Sequence, residues 1–176
     1  ELAQEMRDHL LIEPPDDLGR YELYLSEIKT AKLIHDWVSE VSEFEMEKTY
    51  GIGPGDIRSK VELAEWLMHA MSRLAGLINK SAVPYTEEIN RRIAYGIKPD
   101  LLELVRLGGI GRVRARALHD RGLRTIEDLR KTSYDRIKQI PNIGERVAAS
   151  IKKQLGQPRE GVVPDGEDSQ RSLSEF

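Results

Sequence analysis

The chain has 176 residues, enough for one compact unit or two small ones, and no cysteine, which excludes a disulfide framework and a thiolate zinc site. No apolar run reaches membrane-spanning length and no secretory signal opens the chain, so a soluble cytoplasmic protein is expected. The net charge of −3 is unevenly spread: residues 1–50 carry −8, while 101–157 hold thirteen basic and six acidic side chains, a +7 concentration that reads as a polyanion-binding footprint.

Residues 1–12 read as the end of a helix stopped at Pro14-Pro15. The first residue is Glu1 rather than Met, so a piece of a longer polypeptide is expected. A helix is predicted over 29–44, with Leu33, Ile34, Trp37, Val38 and Val41 on one face. The Gly51-Ile52-Gly53-Pro54-Gly55 run breaks the chain, and Asp56 is a candidate N-cap for a long helix to Asn79. That helix is apolar over much of its circumference (Val61, Leu63, Ala64, Leu67, Met68, Met71, Leu74, Leu77), the pattern of a helix central to a bundle. Another follows Pro84 and ends near Gly96. Nothing alternates as a β-strand would, so the predicted fold is all-α. A helical bundle occupies 1–96, a small two-hairpin unit 97–157, and a flexible acidic tail 158–176.

An internal repeat marks the second unit. A shift of 33 residues lays Leu101, Leu104, Leu107, Gly109-Ile110-Gly111, Ala115 and Leu118 on Tyr134, Ile137, Ile140, Asn142-Ile143-Gly144, Ala148 and Ile151. Each copy reads as a short apolar helix, a tight glycine-containing hairpin and a second helix. Thr125-Ile126-Glu127-Asp128 forms a capped connector, and Gly122 and Gly156 stop the second helices. Glycine admits positive φ and leaves no Cβ in a ligand's way. The hairpin then offers unpaired amides at a helix N-terminus, where the helix dipole also favours an anion such as a DNA phosphate. Contacts of that kind ignore base identity and weaken steeply with salt.

Two such hairpins in register make a tandem helix-hairpin-helix signature; the plain alternative is a helical hairpin whose glycines only cap helices, which leaves the charge concentration unexplained. Gly109, Ile110 and Gly111 lead directly into Arg112, Arg114 and Arg116. The second copy has Asn142 for the first glycine and Glu145 in place of Arg112, with Gly144, Arg146, Lys152 and Lys153 nearby. The first hairpin is therefore expected to make the main DNA contact and the second a weaker one. Replacing all three arginines by alanine is expected to weaken single-strand binding and flatten its salt dependence.

Tyr95-Gly96-Ile97, Leu101-Leu102-Glu103-Leu104 and the stretch from Gly109 to Leu118 resemble the C-terminal domain of archaeal superfamily-two DNA helicases of the Hjm type. Lys29-Thr30-Ala31, Asp36-Trp37, Gly53-Pro54-Gly55-Asp56 and Ala64-Glu65-Trp66-Leu67 resemble the helical ratchet (Sec63-like) domain that precedes it, so the likeness covers roughly 1–155. The resemblance implies a parent with ATP-dependent 3′-to-5′ helicase activity, related to the helicase part of DNA polymerase theta, that acts at stalled replication forks in repair and recombination. It implies ATP and Mg²⁺ for that parent's motor, single-stranded and forked DNA as partners, and an archaeal cytoplasmic, nucleoid-associated setting. In that family the long helix lines the single-strand channel, with a Trp stacked on a base and a basic residue on the backbone. Trp66 matches the Trp, and Arg58 and Arg73 are the two candidates for the cation. Read from the residues alone, Trp66 fits core packing in a very apolar helix better than a base contact. The resemblance also gives Arg112, Arg114 and Arg116 the role of gripping the exiting strand. These residues contain no phosphate-binding Gly-x-x-x-x-Gly-Lys-Ser/Thr loop, so the chain itself is expected to bind DNA without hydrolysing ATP, as a monomer with no bound cofactor or metal.

At the end of the chain, Gln170, Leu173 and Phe176 follow the spacing of the motif that docks replication proteins on the sliding clamp (PCNA), behind an acidic tether. Deleting the last seven residues is expected to abolish capture by the clamp. Three other readings stay open. A helix-hairpin-helix DNA glycosylase would need a catalytic carboxylate such as Asp128 or Asp135. A structure-selective nuclease would carry the same hairpin pair after a carboxylate cluster. A protein-interaction module of an RNA helicase would prefer RNA or protein to DNA.

Overall fold

The structure is a computed structural model in which residues 13–156 are described. The expected helix end over 1–12 and the tail with Gln170, Leu173 and Phe176 lie outside them. Among the described residues every regular element is helical. None of these helices is long and apolar enough to cross a membrane.

Four α-helices form the first unit: α1 (Leu18–Val38), α2 (Glu43–Tyr50), α3 (Pro54–Ile78) and α4 (Val83–Tyr95). Asp17 starts α1 by accepting the Arg20 amide at 2.9 Å. The predicted helix over 29–44 is corrected on both sides, beginning eleven residues earlier and stopping at Val38. The cause of the stop is local. Glu40 enters the left-handed region at φ 68°, and Ser42 then caps α2 reciprocally with Glu45, its hydroxyl accepting the Glu45 amide at 3.2 Å. Asp56 does cap α3, but from inside its first turn: its carboxylate accepts the Gly53 amide at 3.2 Å, while Gly53 holds the N-cap position. Leu33, Met46, Tyr50, Ile57, Val61 and Ile93 form the core of this unit.

As expected of a central helix, α3 is contacted by α1, α2 and α4, but it is not buried around its circumference. Only Ile57 and Val61 of α3 are buried, whereas Leu63, Leu67, Met71, Leu74 and Leu77 are each more than half exposed. The helix is apolar around much of its circumference, but α1, α2 and α4 pack on it without covering those side chains.

The second unit has its own core, from Ile97 through Leu118, Leu129 and Ile137 to Leu155. Two 3₁₀ turns (Pro99–Leu101 and Leu104–Arg106) lead to α5 (Arg112–Asp120), then α6 (Ile126–Lys131), α7 (Tyr134–Lys138) and α8 (Glu145–Gln154). The first copy's short helix is thus a pair of 3₁₀ turns, the second copy's a five-residue α-helix. Otherwise the repeat is reproduced in three dimensions. Leu107, Ile110, Ala115 and Leu118 are buried, and so are their counterparts Ile140, Ile143, Ala148 and Ile151. Thr125 and Asp128 cap α6 reciprocally, which accounts for Asp128 structurally. Asp135 pairs with Lys138 at 3.0 Å and is exposed.

Candidate nucleic-acid interface

The two hairpins share one backbone geometry. Gly109 has φ 80° and its counterpart Asn142 φ 65°, so both occupy the left-handed region; Asn is the side chain that tolerates it best after Gly. Gly111 and Gly144 are extended N-caps with nearly equal angles, φ −95° and −82°, and neither helix start has a side-chain cap. A Cβ at Gly109, Gly111 or Gly144 would meet nothing within 4 Å, so these surfaces are open to a ligand. Ile110 and Ile143 anchor the hairpins from beneath, their amides donating to Leu107 O and Ile140 O at 3.1 and 3.0 Å. Each hairpin presents an uncapped helix N-terminus, with the partial positive charge such ends carry.

Charge separates the copies. The first turn of α5 has no acidic residue and carries Arg112 and Arg114. Cations there are unfavourable in the helix dipole, so helix stability alone does not account for them. In α8 Glu145 takes the corresponding place, which suits the dipole and repels an anion. Arg146 of α8 is exposed, with no hydrogen bond or ion pair among the described residues. Lys152, a neighbouring cation in the sequence, is buried: its ammonium donates to Leu129 O at 3.0 Å and Arg130 O at 3.1 Å, and burial lowers its pKa. It satisfies the end of α6 rather than facing a ligand. Lys153 is exposed.

The three arginines of α5 point to different places. Arg114 spans the hairpins, donating from Nη1 to Gly109 O at 2.7 Å and from Nε to Asn142 O at 3.2 Å. Arg112 leaves the hairpin for the first unit. Its guanidinium lies over the Trp37 ring, 5.2 Å from the centroid, and donates to Val41 O at 2.6 Å. Burial lowers its pKa against the pull of Glu40 and Glu43. Arg116 binds Glu40 with both forks, at 2.8 and 2.7 Å, and Asp100 at 2.9 and 3.1 Å. Those hydrogen bonds raise its pKa above the ordinary guanidinium value. Burial pushes the Glu40 carboxyl up, but the Arg116 hydrogen bonds, the Lys98 amide and the Arg116 charge together hold it below its usual range. Asp100 is held low chiefly by its hydrogen bonds to Arg116.

On α3, Trp66 is 65% exposed, so it is not a core residue of the described structure. Arg58 is exposed and pairs with Glu62 at 3.3 Å, and Arg73 is exposed beside Glu87 and Asn90 in a groove between α3 and α4. One groove runs past Arg58, and another past Gly111, Arg112, Arg114 and Asn142; Trp37 and Glu43 line both. The hairpins and the start of α3 therefore line two neighbouring grooves that share Trp37 and Glu43, while Arg73 lines a third. Sequence reasoning missed Trp37 and Glu40 as partners of the arginines. The Ser42-x-x-Glu45 cap was a usable sign that the helix before it ends near Glu40.

Residues 1–96 match the family described as archaeal helicase, domain 4. The chain belongs to this family. Residues 101–157 match a second family, the SAM-like helix-hairpin-helix tandem. Among curated proteins the chain is similar to the ATP-dependent DNA helicase Hel308 of Thermococcus kodakarensis, 38% identical over 160 residues that make up 89% of this chain and 14% of that protein. It is also similar to Hel308 of Methanocella arvoryzae, 37% identical over 94% of this chain and 23% of the relative. Hel308 of Methanocaldococcus jannaschii is 43% identical over 83% of this chain and 12% of the relative. The chain thus spans less than a quarter of the length of each of these relatives. Its domain-4 match and its paired hairpins stand in the order the resemblance implied.

Proposed function

We propose that this chain binds single-stranded and forked DNA without sequence preference, as the C-terminal accessory region of an ATP-dependent 3′-to-5′ DNA helicase working at stalled forks. The observation that carries the reading is the pair of open, uncapped hairpins, the first with Arg114 beside it in a helical turn where the dipole disfavours a cation. Phosphate oxygens are placed at the amides that follow Gly111 and Gly144, with Arg114 and Arg146 beside them. The exposure of Trp66 is consistent with stacking on a base, worth roughly 1–3 kcal/mol. The names of the relatives support a DNA helicase as parent, with ATP and Mg²⁺ serving its motor rather than these residues. Capture of the sliding clamp through Gln170, Leu173 and Phe176 is retained as part of the proposal.

The test is a titration of residues 1–176 with a labelled single strand, a fork and a matched RNA strand over a salt series. Binding should fall linearly in log–log form with added salt, vary little with base sequence, and favour DNA. Salt-independent binding, or a clear preference for RNA, would overturn the reading.

A further inference from the structure

The segment joining the two units is tied more tightly than a linker needs to be. Three residues within one five-residue stretch of the first unit, Trp37, Glu40 and Val41, provide the anchor points. The Trp37 indole donates to Ile93 O at 2.7 Å and lies so close to Gly96 that a Cβ there would sit 2.6 Å from the ring. Arg112 covers the same ring and reaches Val41 O. Glu40 has a left-handed backbone, which a residue with a side chain adopts at a cost. Its carboxylate accepts the Lys98 amide at 2.9 Å as well as both forks of Arg116. Its side chain is only 12% exposed and that of Arg116 27%. A lone surface ion pair contributes little, but a half-buried bidentate fork shared between two carboxylates fixes direction as well as distance. Glycine would satisfy the backbone at position 40 without strain; only a carboxylate also makes these three bonds.

We infer that Arg116 is a positioning residue: with Glu40, Asp100 and Arg112 it clasps the hairpin unit to the helical unit at one fixed angle, and it does not hold a phosphate. The phosphate contacts then fall to the hairpin amides, Arg114 and Arg146. That division of the phosphate contacts rests on the DNA-binding reading above; the clasp itself does not. The clasp sets the angle between the groove beside Arg58 and the groove at the hairpins, so it sets where a strand leaving one meets the other.

The absence of native cysteine makes the angle measurable. Spin labels at Glu27→Cys and Ala149→Cys, both exposed positions with no described partner, report the distance between the units. The parent should give one narrow distance population. Glu40→Gln and Arg116→Gln should each broaden it or add a second population, and the double substitution should add little to either single one. Arg116→Lys, which keeps the charge but loses the fork, serves as the milder variant if Arg116→Gln unfolds, and should broaden the distribution too. In the DNA titration Arg116→Gln should leave the salt slope unchanged, whereas Arg146→Gln should lower it by about 0.7, the slope carried by one neutralised phosphate of a single strand. A distribution that stays narrow in all these variants overturns the clasp. A slope lowered by Arg116→Gln as much as by Arg146→Gln returns Arg116 to the phosphate. If the parent chain does not bind DNA, the functional proposal fails, and the spin-label distances still decide the clasp.

Discussion

Gly96 shows how much one residue can be asked to do. It ends α4 at φ 62°, its amide and that of Ile97 reaching back to Ile93 O and Arg92 O, and its bare Cα gives the Trp37 ring room. An alanine would meet both the left-handed cost, about 1–2 kcal/mol, and an overpacking cost of about 1–3 kcal/mol against a ring held by its own hydrogen bond. Gly96→Ala is therefore expected to destabilise the chain by roughly 2–5 kcal/mol in urea denaturation. A loss under about 1 kcal/mol would mean that Trp37 moves freely aside. Gly109 differs: a Cβ there touches nothing, so its substitution should cost only the backbone term. Asn142 occupies the equivalent place in the second copy without a glycine.

At the scale of elements, short helices depend on their ends. α6 has six residues, too few to persist alone, and is closed at both termini from outside itself. Thr125 accepts the Asp128 amide at 3.0 Å at the start, and Lys152 of α8 covers the Leu129 and Arg130 carbonyls at the finish. Thr125→Ala should cost about 1 kcal/mol, the usual value of an N-cap. Hydrogen exchange should show faster opening in 126–131 with the amides of α5 unaffected. Uniform acceleration across the hairpin unit would show instead that α6 does not open by itself. The hairpins follow the same logic in reverse: their helix starts lack side-chain caps, so those amides remain for solvent or a ligand.

For the whole molecule the decisive contact is the junction, and its acid sensitivity has a definite sign. Glu40 and Asp100 are held below their ordinary pKa values of 4.5 and 3.8. The unfolded chain therefore takes up protons first as pH falls. The stability these groups contribute is complete above the unfolded values and is lost as pH drops through the folded ones. Denaturation midpoints should be flat near neutral pH and fall below about pH 4.5, with a shallower fall in Glu40→Gln. Equal acid sensitivity in the two proteins would show that Glu40 carries no linked stability.

Much of this was legible in the residues alone. The 33-residue repeat, the caps at Thr125 and Gly96 and the all-helical class follow from local chemistry: periodicity, a side chain that can reach its own backbone, and a glycine where φ must be positive. The boundary near Val38 was half visible through Ser42 and Glu45, and was missed because apolar spacing continues through Val41. From its neighbours Trp66 read as a core residue, since an apolar helix face looks the same whether or not something covers it; only packing shows α3 exposed there. The arginines were the hardest case. Sequence determined that cations follow a glycine hairpin, a purely local fact. Which of them face outward depends on groups 71 and 76 residues away, Val41 and Glu40, and only the tertiary structure brings those within hydrogen-bond reach.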